Sequence, residues 1–129
     1  MDKLDRSIEA FFIGPRGENI QYFTSLIKKA IDSHLSARIE FELEDARHIT
    51  RKMKNEESFL DAQDRLDRAL DIVLSKMKDL TPPFFGSRYF GHMIWETTIP
   101  GIVGNFATLL YNPNNFSYEG SPYTTLLEI

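Results

Sequence analysis

The 129-residue chain contains no cysteine. Disulfides, thiolate metal ligands and cysteine nucleophiles are therefore excluded, and a reducing, cytosolic compartment is favoured. The chain also lacks any run of about twenty apolar residues, the length that spans a membrane. Because its amino terminus holds no apolar core of signal-peptide length, we expect a soluble, cytoplasmic protein that does not enter membranes.

Basic residues are too few to give the chain a positive field. Its 15 lysines and arginines are outnumbered by 19 aspartates and glutamates, and the formal net charge is −4. Binding to a phosphate backbone depends on lysine and arginine, so a nucleic-acid partner is not expected. A hydrophobic content of 42% over 129 residues fits one domain with one core.

The first part of the chain shows helical periodicity interrupted by a turn. A short helix is predicted over the first dozen residues, ending in the aromatic pair Phe11 and Phe12. A Gly-Pro-Arg-Gly turn follows at 14–17. From Glu18 onward apolar residues recur every three or four positions, which predicts an amphipathic helix with an apolar face formed by Ile20, Phe23, Ile27, Ala30, Ile31 and Leu35.

Residues 36–57 have no clear period. Ile39, Phe41 and Leu43 alternate as they would in a short strand, and a basic run follows at 47–54. His34 and His48 lie among charged residues, so we predict that both are solvated, and their spacing does not suit a metal site.

The most regular helix is predicted at 58–80. Ser58 is placed to cap its amino terminus, with Asp61 at the third helical position. The helix should end near Asp79 because the sequence Thr-Pro-Pro at 81–83 cannot continue it: proline lacks the backbone N–H and disfavours helical geometry in the preceding residue.

The last third of the chain is rich in aromatic and turn residues. An apolar run at 99–111 predicts a buried helix with Pro100 in its first turn, and Gly101 and Gly104 would permit close approach of a neighbouring element. Ser121 and Pro122 begin a further helix whose apolar stripe runs to the end of the chain. Part of the fold is therefore expected to be missing or supplied by another subunit.

These patterns together predict a mostly α fold with about four helices, long aromatic and proline-rich loops, and no substantial sheet. Within this single segment, residues 1–57 hold two helices and a charged loop, 58–80 an amphipathic helix, and 81–129 further loops and helices. The apolar helix faces exceed what one copy can cover, so we expect an intertwined helical dimer that is incomplete without a catalytic domain.

Four motifs resemble those of one enzyme family. They are Phe-Ile-Gly-Pro-Arg-Gly-Glu-Asn at 12–19, Arg-Tyr-Phe-Gly-His-Met at 88–93, Leu-Tyr-Asn-Pro-Asn-Asn at 110–115 and Phe-Ser-Tyr-Glu-Gly-Ser-Pro at 116–122. In this order they are similar to motifs of the pyridoxal-phosphate-dependent group II amino acid decarboxylases, the family of the aromatic-amino-acid, tyrosine and glutamate decarboxylases. The similarity is interrupted after His34, where the tryptophan-arginine-rich stretch of the family is absent, so residues 38–51 cannot be assigned by analogy.

The resemblance implies the amino-terminal segment of a homodimeric decarboxylase, which wraps the partner subunit and lines its active site. It implies conversion of an aromatic amino acid such as tyrosine to its amine and CO₂, with pyridoxal phosphate as the cofactor of the complete enzyme. The cofactor lysine of the family would lie beyond Ile129, and the lysines present have polar or charged neighbours. We therefore expect no cofactor on this chain alone and no activity. The alternative is a free-standing helical oligomerisation or regulatory module derived from such an enzyme.

The resemblance also suggests which residues face the substrate. His92 is the candidate polar contact or proton relay, because an imidazole can donate and accept a hydrogen bond near neutral pH. Its sequence context alone favours a buried structural histidine, and the resemblance favours the functional role. Arg88 is a candidate for binding a carboxylate or a phosphate, with a surface ion pair as the alternative.

Other candidates would shape the pocket. An apolar slot for an aromatic ring would be lined by Phe84, Phe85, Tyr89 and Phe116, with Asn114 oriented from a turn. Aromatic residues at such spacing also fit a core, and for Phe84 and Phe85 this alternative stays open. Thr124 and Thr125 could bind a ligand at a helix start, although threonines in a first turn often serve the backbone.

Overall fold

The computed structural model describes residues 5–41, 49–82 and 97–111. They form five helices and no strand, so the predicted mostly α class is confirmed for the described part of the chain. The helices are α1 (Asp5–Glu9), α2 (Ile20–Phe41), α3 (Arg51–Lys54), α4 (Glu57–Leu80) and α5 (Ile99–Tyr111). The chain divides into two compact units, one formed by Met1–Glu42 with Phe84–Ile129 and the other by Leu43–Pro83.

In the first unit, α2 is longer than its apolar pattern suggests. The alternation of Ile39 and Phe41 had indicated a strand, but both residues belong to the last turn of α2. The strand prediction is wrong for these two residues. Both side chains are exposed, at 66% and 87%, so neither gains the burial against neighbouring residues that stabilises a strand. Leu43, the third residue of that pattern, lies outside the described residues.

The packed face of α2 is turned relative to the predicted one. Helix α2 packs against α5, and its half-buried residues at steps of three and four are Phe23, Ile27, Ala30, His34 and Ala37. Three residues assigned to the apolar face, Ile20, Ile31 and Leu35, are instead exposed. His34, predicted to be solvated, takes their place on the packed stripe, because a helix side that carries 23, 27 and 30 also carries 34.

Helix α5 has the bounds predicted from the sequence, with Pro100 in its first turn. Ile99, at 1% exposure, is the one fully buried hydrophobic residue among those described. The expectation of a buried helix is wrong for the rest of α5, since Leu109 is 71% exposed and only one side faces α2. Among the described residues, nothing beyond the adjacent backbone of α5 lies within 4 Å of the position that a β-carbon would take at Gly104, so none of them makes the predicted close approach there.

The second unit consists of α3 and α4. The Oγ1 of Thr50 accepts a hydrogen bond from the backbone N–H of Met53 at 3.2 Å and caps α3. Helix α4 begins at Glu57 after the N-cap Glu56, whose side chain makes no capping bond, so the prediction that Ser58 caps this helix is wrong. Ser58 lies in the first turn itself, and helix formation one residue earlier lets the backbone N–H of Leu60 reach the carbonyl of Glu56 at 3.1 Å.

The carboxyl-terminal end of α4 lies where the sequence predicts it. The helix ends at Leu80, and the backbone N–H of Thr81 still donates to the carbonyl of Met77 at 3.0 Å before Pro82 interrupts the pattern. None of the helices in the described ranges is both long enough and apolar enough to cross a membrane.

Candidate functional site

The residues predicted to face a substrate lie in two segments that the structure does not describe, 83–96 and 112–129. Their roles therefore stay predictions. They are Phe84, Arg88, Tyr89, His92, Asn114, Phe116, Thr124 and Thr125.

What the structure does describe is the helix between the two segments. Helix α5 connects the first segment to the second. Its ends are about 18 Å apart, because twelve residue steps along a helix separate them. Its amino-terminal end is held by a hydrogen bond from the N–H of Ile99 to the carbonyl of Phe11 at 2.7 Å. Its carboxyl-terminal end is held by Tyr111, whose hydroxyl lies 3.0 Å from the Oγ of Ser33 on α2. Both ends of the helix that connects the candidate segments are thus fixed to the same framework.

The motif at 12–19 forms the other part of this framework. The side-chain amide of Asn19 donates to the carbonyl of Phe12 at 2.8 Å and to that of Glu9 at 3.2 Å. The backbone N–H of Asn19 donates to the carbonyl of Ile13 at 2.9 Å. One residue therefore binds the end of α1, the turn and the start of α2 together, which explains why an asparagine suits this position: its amide carries two N–H donors.

Two glycines give the motif its shape. Gly14 has φ of 87° and Gly17 has φ of 77°, values that a residue with a β-carbon rarely adopts. The backbone N–H of Gly17 donates to the carbonyl of Gly14 at 3.0 Å and closes the turn. The Oε2 of Glu18 accepts from the backbone N–H of Arg16 at 3.0 Å, so the carboxylate folds back over the turn.

This turn also borders a cleft. The cleft has a volume of about 630 Å³ and is lined by Glu9, Ala10, Phe12, Gly14, Pro15, Glu18 and Asn19. Its side chains combine two carboxylates with apolar groups, and the amide of Asn19 is already engaged with the backbone. The described residues that line the cleft therefore offer no cationic group for an anionic cofactor.

Substituting Gly14 with alanine should destabilise the first unit. The positive φ alone costs a residue with a β-carbon about 1–3 kcal/mol. A β-carbon at Gly14 would also overlap the carboxylate of Glu18, which would have to leave its bond with Arg16. We expect the midpoint of urea unfolding, followed by circular dichroism, to fall.

The matched control is Gly104→Ala. Gly104 lies inside α5 with free space around its α-carbon, so alanine should stabilise the helix by about 0.5–1 kcal/mol. Two glycine substitutions with the same sign of effect would contradict the geometry of the turn.

A polar cluster at the α2–α5 contact was not predicted from the sequence. The ring of His34 meets that of Tyr111 edge-on, with centroids 5.0 Å apart, and its Nε2 accepts from the Nε of Arg38 at 2.8 Å. The Nδ1 of His34 is buried and makes no hydrogen bond. The signal that could have identified this residue is its position on the stripe of Phe23, Ile27 and Ala30, which outweighs its charged sequence neighbours.

Anchoring of pyridoxal phosphate requires a lysine whose amine is desolvated. Every lysine in the described ranges is exposed, namely Lys28, Lys29, Lys52, Lys54, Lys76 and Lys78. The amine of Lys28 is moreover paired with the carboxylate of Asp32 at 2.7 Å. The described residues therefore do not fit that cofactor, and they contain no group of three or more potential metal ligands either.

Comparison with known proteins finds similarity to three curated proteins. No protein-family model matches it. It is 31% identical to an L-tyrosine decarboxylase of Levilactobacillus brevis over 134 aligned residues, which cover 99% of this chain and 21% of that protein. It is likewise 31% identical to the L-tyrosine decarboxylases of Enterococcus faecalis and Enterococcus faecium, with 98% and 96% of this chain and 20% of each protein covered.

The chain thus spans about one fifth of the length of the curated relatives that it matches. The resemblance that the four motifs indicated is confirmed by these matches. Over nearly all of its own length, the chain is a relative of a segment of the L-tyrosine decarboxylases.

Proposed function

We propose that this chain is the amino-terminal, dimerising and substrate-lining segment of a pyridoxal-phosphate-dependent decarboxylase that converts an aromatic amino acid, tyrosine or a close relative, to its amine and CO₂. The observation that carries the proposal is the 31% identity to three L-tyrosine decarboxylases over almost the whole chain. The limited share of those proteins that is matched, about one fifth, supports a role as one part of the catalytic unit.

The cofactor would be supplied by the rest of the enzyme. When bound, pyridoxal phosphate accepts the electrons that the broken carboxylate bond leaves behind. The exposed lysines of this chain support the proposal that it holds no cofactor itself and is inactive alone. Its cysteine-free sequence favours a reducing compartment, and we place the enzyme in the cytoplasm.

The contribution of the chain itself would be to bind the substrate and exclude water. In this proposal Phe84, Tyr89 and Phe116 form the slot for the aromatic ring, and Asn114 orients its polar end. A second group of polar residues, Arg88, His92, Thr124 and Thr125, would bind the charged groups of the substrate and hold a proton near it. The helix that joins the two segments supports this arrangement because its two ends are hydrogen-bonded to Phe11 and to Ser33 of α2.

A dimer is part of the proposal because much apolar surface is uncovered. Large hydrophobic side chains that are half exposed or more include Phe11, Leu35, Phe41, Leu66 and Leu80. A stable protein rarely leaves so many apolar groups in water, so a second copy or the remainder of a decarboxylase is expected to cover them. The same observation favours the alternative function, a free-standing helical oligomerisation or regulatory module.

A graft separates the two functions. The matching fifth of the Levilactobacillus brevis L-tyrosine decarboxylase would be replaced by this chain, and amine formation from tyrosine would be measured with pyridoxal phosphate present. We expect activity at least tenfold above that of the same enzyme with the segment deleted. We also expect the isolated chain to form no amine and no borohydride-reducible adduct with the cofactor.

The outcomes differ clearly between the two candidates. A folded, dimeric graft without activity would favour the oligomerisation module and reject the substrate-lining role. Amine formation by the isolated chain would reject the idea that the chemistry requires another segment.

A further inference from the structure

Helix α4 carries an uncovered apolar ridge that contains a regular repeat. The ridge consists of Leu66, Leu70, Val73, Met77 and Leu80, at steps of four, three, four and three. All five side chains are at least 50% exposed, and Leu66 and Leu80 exceed 70%. Among the described helices of its unit, α4 packs only against the four-residue α3. A 4-3-4-3 repeat is the pattern of a helix that pairs along its length with another helix.

The charges of α4 are divided between its two halves. Residues 57–71 carry five carboxylates and two guanidinium groups, a net charge of −3. Residues 72–80 carry two lysines and one aspartate, a net charge of +1. A parallel pair would set the two acidic halves side by side, whereas an antiparallel pair sets each acidic half beside a basic one. The helix dipoles also favour the antiparallel arrangement, because the positive end of each helix then lies beside the negative end of the other.

From this pattern we propose that α4 pairs antiparallel with α4 of a second copy, and that this contact is one interface of the dimer. The inference rests on the dimerising role proposed above and specifies the surface that performs it. The partner is the same chain because the charge pattern of α4 is complementary to its own reverse, as a twofold symmetric interface requires.

The repeat fixes the register of the pair. Apolar layers form when Leu66 lies opposite Met77 of the second copy and Leu70 lies opposite Val73 of the second copy. In this register Asp67 approaches Lys78 of the second copy on the flank of the interface. Arg65 already binds Asp61 on its own helix at 2.7 Å, which reduces its repulsion of Lys76 across the pair.

Cysteine cross-linking tests the orientation directly, because the chain has no cysteine of its own. Leu66→Cys and Met77→Cys chains would be mixed, oxidised mildly, and analysed on non-reducing gels with mass spectrometry of the linked peptides. A disulfide needs α-carbons within about 7 Å. In the antiparallel register positions 66 and 77 meet, whereas two copies of position 66 lie eleven residues apart, about 16 Å.

We expect the mixture to form the 66–77 disulfide at least tenfold faster than Leu66→Cys forms a dimer with itself. The control is Leu66→Cys mixed with Leu109→Cys, since Leu109 on α5 is as exposed as Leu66, at 71%, but lies outside the ridge. This control mixture should not cross-link above background. Circular dichroism and sedimentation of each reduced variant establish that it is folded and associated.

Charge variants provide a second test that leaves the ridge intact. Lys78→Asp should raise the dissociation constant of the dimer about threefold or more at low salt, since each twofold pair loses two attractive contacts and gains two repulsive ones. The double variant Asp67→Lys with Lys78→Asp should restore association to near the original value. Absence of restoration would contradict the proposed register.

Other results would overturn the inference in different ways. Fast 66–66 cross-linking would show a parallel pair. A dimer by sedimentation without either disulfide would show association through another surface, and the proposed function would stand. A monomer at all concentrations would reject the pairing and the dimerising role of the isolated chain, while activity of the graft would still decide the decarboxylase role.

Discussion

Replacing Ile99 with alanine is expected to lower the free energy of unfolding of the first unit by about 2–5 kcal/mol. Ile99 is 1% exposed and begins α5, where its backbone N–H donates to the carbonyl of Phe11 at 2.7 Å. Truncating a buried isoleucine removes apolar contacts and leaves a cavity, and here the cavity would open beside the bond that attaches α5. Urea unfolding followed by circular dichroism at 222 nm measures the loss.

Leu109→Ala is the control for this prediction. Leu109 belongs to the same helix but is 71% exposed, so the same measurement should change by about 0.5 kcal/mol or less. Equal losses from the two substitutions would mean that α5 is buried by a partner along its whole length, and Ile99 would no longer be distinguished as its anchor.

Replacing His92 with alanine in the grafted decarboxylase is expected to lower kcat by about 100-fold or more. A positioned group that donates or accepts a proton near the reacting atoms contributes about 10²–10⁴-fold. Because imidazole changes its charge near neutral pH, the variant should also lose one limb of the dependence of kcat on pH. The measurement is the rate of amine formation between pH 5 and 8.

A second histidine provides the matched control. His34 lies at the α2–α5 contact, where it meets Tyr111 and Arg38, so His34→Gln should lower the thermal midpoint with little change in kcat. If His92→Ala retained its kcat and lost only stability, His92 would be a structural residue, the alternative that its sequence leaves open.

The sequence predicts helices best where strong local signals coincide with the boundary. Pro82 predicts the end of α4 because proline removes a backbone donor. The apolar run that begins at Ile99 predicts the start of α5 because it supplies an apolar helix face that packing must cover. The turn at 14–17 is predicted equally well, since two glycines with positive φ occupy it.

Other features depend on tertiary contacts that a local pattern does not contain. The alternation at Ile39 and Phe41 resembles a strand, but a helix that is already formed extends at low cost when no sheet competes. His34 was predicted to be solvated from its charged neighbours, but it is half-buried because it lies on the side of α2 that α5 covers. The candidate site residues depend on such contacts too, and only the resemblance to decarboxylases pointed to them.

The double attachment of α5 makes its length a constraint on evolution. Adding one residue to this helix would turn everything after it by 100° and move it 1.5 Å along the axis, while Tyr111 would lose its reach to Ser33. Divergence in this stretch should therefore proceed by exchange of side chains, and insertions should accumulate elsewhere. The length of α5 thus fixes the distance between its attachment at Phe11 and its attachment at Ser33.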